Sequence, residues 1–412
     1  MKITKNNKTI YLFTSNFPYA TNETFLETEI QYLSSHFKKI IVVSFDIESQ
    51  TSRSFPCNVS TIRVRYELNR FEKIMSIGHL FSNKIWFELI HVRKNYKKPI
   101  SFGILKTAFF SLTNAKRLVT NFQKLGIINH NSIYYSYWSN DCSIALCLLK
   151  SDSFISKAIS RAHGWDVFFK PSKYNYLPFR NLILTHLDRL YVVSEAGGNY
   201  IQNKWKSKFH EKVFVSRLGV RRNQFSEKSS RKSLLLVSCS NIIPLKRIDL
   251  MAETLSLINS ISIKWVHFGD GILLDTIEQL CSKILLPNVE FEFKGRVENS
   301  KVLEYYYTAN PDLFMNLSSS EGIPVSIMEA MSFGIPVIAT DVGGSSEIVN
   351  SENGFLLSSN PEPEEVAQVI HDFNNFNELD KTKMRNNAFE TWNEKYNSEK
   401  NYSAFVEDIA SL

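Results

Sequence analysis

At 412 residues, with 43% apolar and 22% charged content, the chain is too long for one hydrophobic core and too evenly composed for a disordered or fibrous protein, so two domains are expected. No uninterrupted apolar run approaches the ~18 residues that span a bilayer, and no transmembrane helix is expected. The net charge of +7 hides a split: residues 1–220 carry 31 Lys/Arg against 14 Asp/Glu, a balance of +17, while the remainder carries 17 against 27, a balance of −10. An asymmetry on that scale concerns partners rather than fold.

In chain order, the basic start reads as a first strand near Ile10–Phe13, because its apolar stretch is too short for a signal segment. Thr24 and Glu27 have the S/T-x-x-E spacing of a capping box and predict a helix start there. Further strands are expected near Ile40–Ser44, Ser132–Tyr135, Lys157–Ala162, Leu190–Val193 and Val213–Ser216. Between the first and second of these lies the densest basic zone, Arg70–Lys124. Arg93, Lys94, Lys97 and Lys98 cluster there among Phe81, Trp86, Phe87, Phe102, Phe109 and Phe110. Cations mixed with rings suit an anionic membrane surface, and a solvated basic face over an aromatic core is the competing reading. No nucleic-acid motif occurs, so no nucleic-acid partner is expected.

The polar, aperiodic segment Gly219–Ser233 is the linker candidate. The expected division is residues 1–218, a linker over 219–232, a second domain over 233–390 and a terminal helical segment over 391–412. In the second half, strands are expected near Leu234–Ser238, Lys264–Phe268, Val289–Phe293, Leu313–Asn316, Val337–Thr340 and Phe355–Leu357. Strands alternating with helical patterns argue for parallel α/β sheets, which bind ligands outside the carboxyl ends of their strands. The five cysteines form no CxxC pair and read as free thiols in a reducing compartment, with no metal site implied.

The most informative stretch is Leu317–Val349, LSSSEGIPVSIMEAMSFGIPVIATDVGGSSEIV. Its Glu321 opens a Gly-Ile-Pro turn, and Glu329 lies on the helix that follows. A helix N-terminus fed by such a loop, here at Gly322, Ile323 and Val325, favours an anion, while the two carboxylates suit sugar or ribose hydroxyls. The pattern reads as a nucleotide-sugar pocket. Upstream, Leu234–Asp249 (LLLVSCSNIIPLKRID) runs a buried strand into a loop bearing Lys246 and Arg247. A cation there can neutralise a departing diphosphate. In the first half, Ser160–Phe169 (SRAHGWDVFF) places His163 and Asp166 just past a strand, with Gly164 allowing close backbone approach to a ligand.

These segments together resemble the family 4 glycosyltransferases, retaining enzymes of bacterial surface-polysaccharide synthesis. The resemblance implies a GT-B fold, two Rossmann-like doubly wound α/β domains facing a central cleft, with the final helix returning to the first domain. It implies transfer of a sugar from a UDP- or GDP-linked donor to a hydroxyl of a glycan or lipid-linked acceptor, without cofactor or metal. His163 would contact the transferred sugar, Lys246 the diphosphate, Glu321 the sugar hydroxyls and Glu329 the ribose. Arg296 and Val297 would lie near the base. The loop Ser15–Ile30 would face donor and acceptor, making Asn22 and Glu23 acceptor candidates, with Asp166 as a third. Tyr135, Tyr137 and Trp138 would stack on sugars or pack in the core. One departure stands out: Asn241 occupies the usual arginine position, with Asn241 itself, Arg247 or Arg296 as replacements. The expected site of action is cytoplasmic, peripheral on the inner face of the plasma membrane. The same architecture also serves sugar-nucleotide 2-epimerases, and a non-catalytic carbohydrate-binding relative is a further alternative.

Overall fold

The computed structural model describes residues 6–20, 23–50, 52–66, 68, 72, 76–206, 208–221 and 232–412. The chain divides into two compact units, residues 1–217 with 402–412, and residues 218–401. The first holds a parallel sheet of β1 (Asn6–Thr14), β2 (Phe37–Ser44), β3 (Val59–Arg63), β4 (Ser132–Ser136), β5 (Lys157–Ala162), β6 (Arg189–Val192) and β7 (Val213–Val215). Their spatial order is β3-β2-β1-β4-β5-β6-β7, so the winding reverses between β1 and β4. Alternate residues of β1 enter different cores: Tyr11 and Phe13 on one face, Ile10 and Leu12 on the other. A sheet buried on both faces explains why its strands read as continuous apolar runs.

The second unit repeats the plan with β8 (Leu234–Cys239), β9 (Ile263–Phe268), β10 (Val289–Phe293), β11 (Leu313–Asn316), β12 (Val337–Thr340) and β13 (Gly354–Leu357). Their order is β10-β9-β8-β11-β12-β13, reversing between β8 and β11. Such reversal points are where doubly wound sheets open a crevice beyond the strand ends. Leu236 and Leu235 again face separate cores.

Every strand expected from the sequence is present, and β3 is an addition. Its residues VSTIR lie at the sheet edge with only Val59 buried, so no apolar run announces them. The linker candidate lies mostly outside the described residues. Val220, at its start, is buried, pairs with Asn397 and packs in the second unit.

The terminal residues 402–412 belong to the first unit. Tyr402 contacts Tyr32, and Phe405, Val406 and Ile409 enter the core beneath β1. Tyr191 donates to Asp408 at 2.6 Å. Beneath Phe405 lies a fully buried Arg161, paired with Glu29 at 3.3 Å and bonded to the Tyr135 hydroxyl at 2.9 Å and the Ser216 carbonyl at 2.8 Å.

Among the described residues no helix is long and apolar enough to cross a membrane, and no cluster of metal-ligating side chains occurs. All five cysteines are free.

Candidate active site

The loops after β8 and β11 flank the reversal point of the second sheet, and they bring Lys246 and Glu321 together. Lys246 Nζ donates to Glu321 Oε1 at 2.5 Å, with both side chains mostly buried. The same oxygen accepts from Ser318 Oγ at 2.7 Å and Asn316 Nδ2 at 3.2 Å. Three donors converge on one carboxylate oxygen and leave its other oxygen without a hydrogen bond among the described residues. Ser318 and Asn316 were not singled out from the sequence, although polar residues directly after a buried strand and beside Glu321 were the available signal.

Arg247 holds this arrangement in place. Its backbone is left-handed (φ 49°), between the turn Pro244–Lys246 and the helix Ile248–Ser256. That conformation costs a non-glycine residue about 1–2 kcal/mol. The guanidinium offsets it by donating to the carbonyls of Leu317 (2.5 Å), Ser318 (2.9 Å) and Ser359 (3.0 Å) and to Asn360 Oδ1 (3.0 Å). Arg247, expected to meet the donor, thus places four hydrogen bonds on the segments after β11 and β13 and fixes them against the Lys246 loop. Asn241 is exposed, and no hydrogen bond engages its side chain among the described residues.

Gly343 closes the site from the β12 side. It lies at φ 57°, and a Cβ there would stand 1.8 Å from the Glu321 carbonyl. Only glycine lets this turn approach so closely. Gly344 N–H then donates to the Gly322 carbonyl at 2.8 Å. Gly322 itself is exposed and opens to free space, while Ile323 is partly buried against Gly344. The helix Val325–Met331 follows Pro324 with no side-chain cap, so its first N–H groups lack an intrahelical partner.

Glu329, on that helix, accepts from Asn299 Nδ2 at 2.8 Å. Burial pushes its carboxyl up to about 7, against the weaker opposing effect of Asn299. Asn299 is a third residue the sequence did not announce. Arg296 and Val297 stand exposed on the loop after β10.

In the first unit, His163 follows β5 and lies against three rings. Its centroid is 4.3 Å from Trp138, 4.9 Å from Tyr137 and 5.9 Å from Phe25. Neither ring nitrogen has a hydrogen-bond partner among the described residues. Asp166 fixes the backbone beneath, accepting from His163 N–H at 2.7 Å and Ser139 N–H at 2.9 Å. Burial disfavours its charge, but His163 and Arg180 outweigh that and lower its pKa. Sealed in this way, Asp166 orients the His163 loop and is not an acceptor contact. Tyr135 and Tyr137 are core residues, whereas Trp138 is half-buried over His163.

Glu23 is corrected too. Its carboxylate accepts from the N–H groups of Ser15 (3.1 Å), Asn16 (2.7 Å) and Phe17 (2.7 Å), and from the Trp138 indole. It is buried and has a positive φ of 58°. This replaces the expected capping box. The helix begins at Leu26 without a side-chain cap, and Glu27 instead pairs with Arg53 at 3.1 Å. Asn22 lies outside the described residues.

Residues 220–391 match the family described as glycosyl transferases group 1. An O-antigen biosynthesis glycosyltransferase of Escherichia coli, WbnH, is 32% identical over 136 residues, covering 32% of this chain and 36% of that protein. An uncharacterised glycosyltransferase of Methanocaldococcus jannaschii is 27% identical over 220 residues, covering 53% and 59%. The first four curated relatives are thus matched over 33% to 59% of their own length. Solved structures match over nearly the whole chain. HepE of Anabaena with UDP and glucose has a TM-score of 0.65 at 14% identity, covering 98% of this chain and 100% of its own. TarM of S. aureus scores 0.67 at 16% identity, covering 97% and 99%. Sucrose-phosphate synthase of Thermosynechococcus elongatus scores 0.72 at 15% identity, covering 98% and 99%. The chain has the GT-B fold, and its residues 220–391 are similar to the group 1 glycosyl transferases.

Proposed function

We propose that the protein is a retaining glycosyltransferase of cell-envelope polysaccharide synthesis. It takes a sugar from a nucleoside-diphosphate donor, UDP-linked in the first instance, to a hydroxyl of a glycan or lipid-linked acceptor. The observation that carries this reading is the Lys246–Glu321 pair at the reversal point of the second sheet, 2.5 Å apart and partly accessible. A diphosphate-sugar would exchange that ion pair for two ligand contacts, phosphate on Lys246 and sugar hydroxyls on Glu321. Two fold relatives, HepE and TarM, have structures in complex with UDP, which supports the UDP assignment.

In the proposed reaction the bond from the anomeric carbon to the diphosphate oxygen breaks. The acceptor oxygen forms its bond on the same face, and its proton passes to the leaving phosphate. Lys246 and the first N–H groups of the helix Val325–Met331 stabilise the charge that develops there. Glu329 holds the ribose, His163 contacts the transferred sugar, and Arg296 and Val297 neighbour the base. No step requires a metal or a further cofactor. A lipid-linked acceptor would bring the enzyme to an anionic membrane surface through its basic first unit.

The test begins with a thermal-shift screen of UDP- and GDP-sugars, since a bound donor raises stability in proportion to its affinity. NMR of the product from the best donor then reads the anomeric configuration. Inversion would defeat the retaining assignment, and an epimerised donor formed without acceptor would defeat the transferase reading itself.

A further inference from the structure

The helix Asn83–Asn95 turns apolar rings outward, where a solvated helix carries polar groups. At 100° per residue, Trp86, Phe87, Ile90, Arg93 and Lys94 fall within an arc of roughly 120°. Ile85, Glu88, Leu89 and Val92 occupy the opposite, buried side. Phe87 is 70%, Trp86 55% and Ile90 49% exposed. Phe81 and Phe102, which flank the helix in sequence, are 81% and 79% exposed. Clustered exposed rings mark interaction surfaces.

The charged end of the same face is equally unpartnered. Arg93, Lys94 and Lys97 are exposed, and none has a hydrogen bond or ion pair among the described residues. Phe87 also borders a cavity of about 250 Å³ lined in part by Lys84, His91 and His186. Glu88 also lines it; burial, then Lys84, Lys212 and Lys150, hold His186 below its ordinary value. His91 Nε2 is buried there without a partner among the described residues.

We propose that this face docks on a bilayer containing anionic phospholipid. Trp86 and Phe87 enter the interface, Arg93, Lys94 and Lys97 meet headgroups, and a headgroup phosphate sits at the cavity beside Lys84. Rings entering the interface while cations stay at headgroup level is the arrangement that binds such surfaces. A second copy of the chain fits less well. A two-fold contact would bring Arg93 and Lys94 against like charges, with no exposed acidic side chain on the arc to receive them. The proposal rests on the lipid-linked acceptor reading for its purpose, while its geometry is independent of it.

The experiment is flotation of the full-length chain with vesicles of phosphatidylcholine alone, or mixed equally with phosphatidylglycerol, in the absence of nucleotide. Nucleotide release from the best donor sugar is measured separately in solution. The wild type is expected to float only with the mixed vesicles, and less as salt rises. Trp86→Ser with Phe87→Ser, and separately Arg93→Glu with Lys94→Glu, should each lower the bound fraction roughly tenfold. Their melting temperatures and donor turnover in solution should stay unchanged, because all four side chains are exposed. A wild type that does not float, or variants that float as it does, overturns the proposal. So does a concentration-dependent dimer abolished by the same substitutions. Turnover without flotation defeats the docking face alone, and flotation without turnover defeats the transferase reading alone.

Discussion

Two of the molecule's cation–glutamate pairs serve opposite purposes. Arg161 and Glu29 lie wholly buried in the first unit, and the Tyr135 hydroxyl and the Ser216 carbonyl take up more of the guanidinium's donors. Lys246 and Glu321 in the second unit are closer together yet partly exposed, and the bonds to that carboxylate among the described residues meet on Oε1. A buried pair enclosed on all sides resists exchange, because removing either charge strands the other in a low dielectric. A pair at a strand-end crevice with acceptor capacity to spare can trade its partner for a ligand. The difference lies in enclosure rather than in residue type.

The sharpest way to break this contrast is to remove one member of each pair. Arg161→Met should destabilise the fold by about 3–5 kcal/mol, and adding Glu29→Leu should recover most of that loss, measured by denaturant unfolding. Turnover per folded molecule should change little. If Arg161→Met is as stable as the wild type, the buried pair has been misread. Lys246→Ala should do the reverse: an unchanged melting temperature, with turnover lowered roughly 10²-fold or more, corresponding to ~3 kcal/mol of lost charge stabilisation. Near-normal turnover would remove Lys246 from the chemistry.

A third test concerns Glu329, whose burial raises its carboxyl to about 7. With a folded value above the unfolded one, the folded state binds more protons between roughly 4.5 and 7. This group's contribution to stability is therefore full below that window and is lost as pH rises through it. Ribose hydroxyls donate best to the ionised form, so affinity for UDP should rise with pH, by roughly tenfold from pH 6 to pH 8. Calorimetry should show that slope in the wild type and not in Glu329→Gln; equal slopes would sink the ribose assignment. The smallest effect is expected from Asn241→Arg. A gain of roughly threefold in UDP affinity would mean that the site lacks one phosphate contact. No change would mean that another cation already serves, and Arg296 would be the first to examine, since Arg247 is tied to the loop after β11.

The contrast also shows which parts of the molecule can be read from the sequence. Twelve strands were legible because both sheets are covered on both faces, which writes them as apolar runs between turns. The edge strand β3 left no such trace. The places of Glu321, Glu329 and Lys246 in the fold were legible because they depend on local order: strand, loop, helix start. The roles of Glu23, Asp166 and Arg247 were not, because each is decided by a partner far along the chain or by a backbone turn. The Glu23 carboxylate reaches back to the three N–H groups that follow β1. Arg247 reaches 70 residues ahead to Leu317. No spacing rule anticipates such a capture.

Two parallel sheets, the segments that end at their strand tips and the charged residue types placed there could be read from the chain alone. Periodicity and turn chemistry are properties of neighbouring residues, and they survive in a linear reading. Which charges remain available emerged with the folded arrangement. Arg161 and Lys246 are both cations placed near strand ends, and burial together with the number of enclosing partners separates a structural bond from one that a ligand can replace.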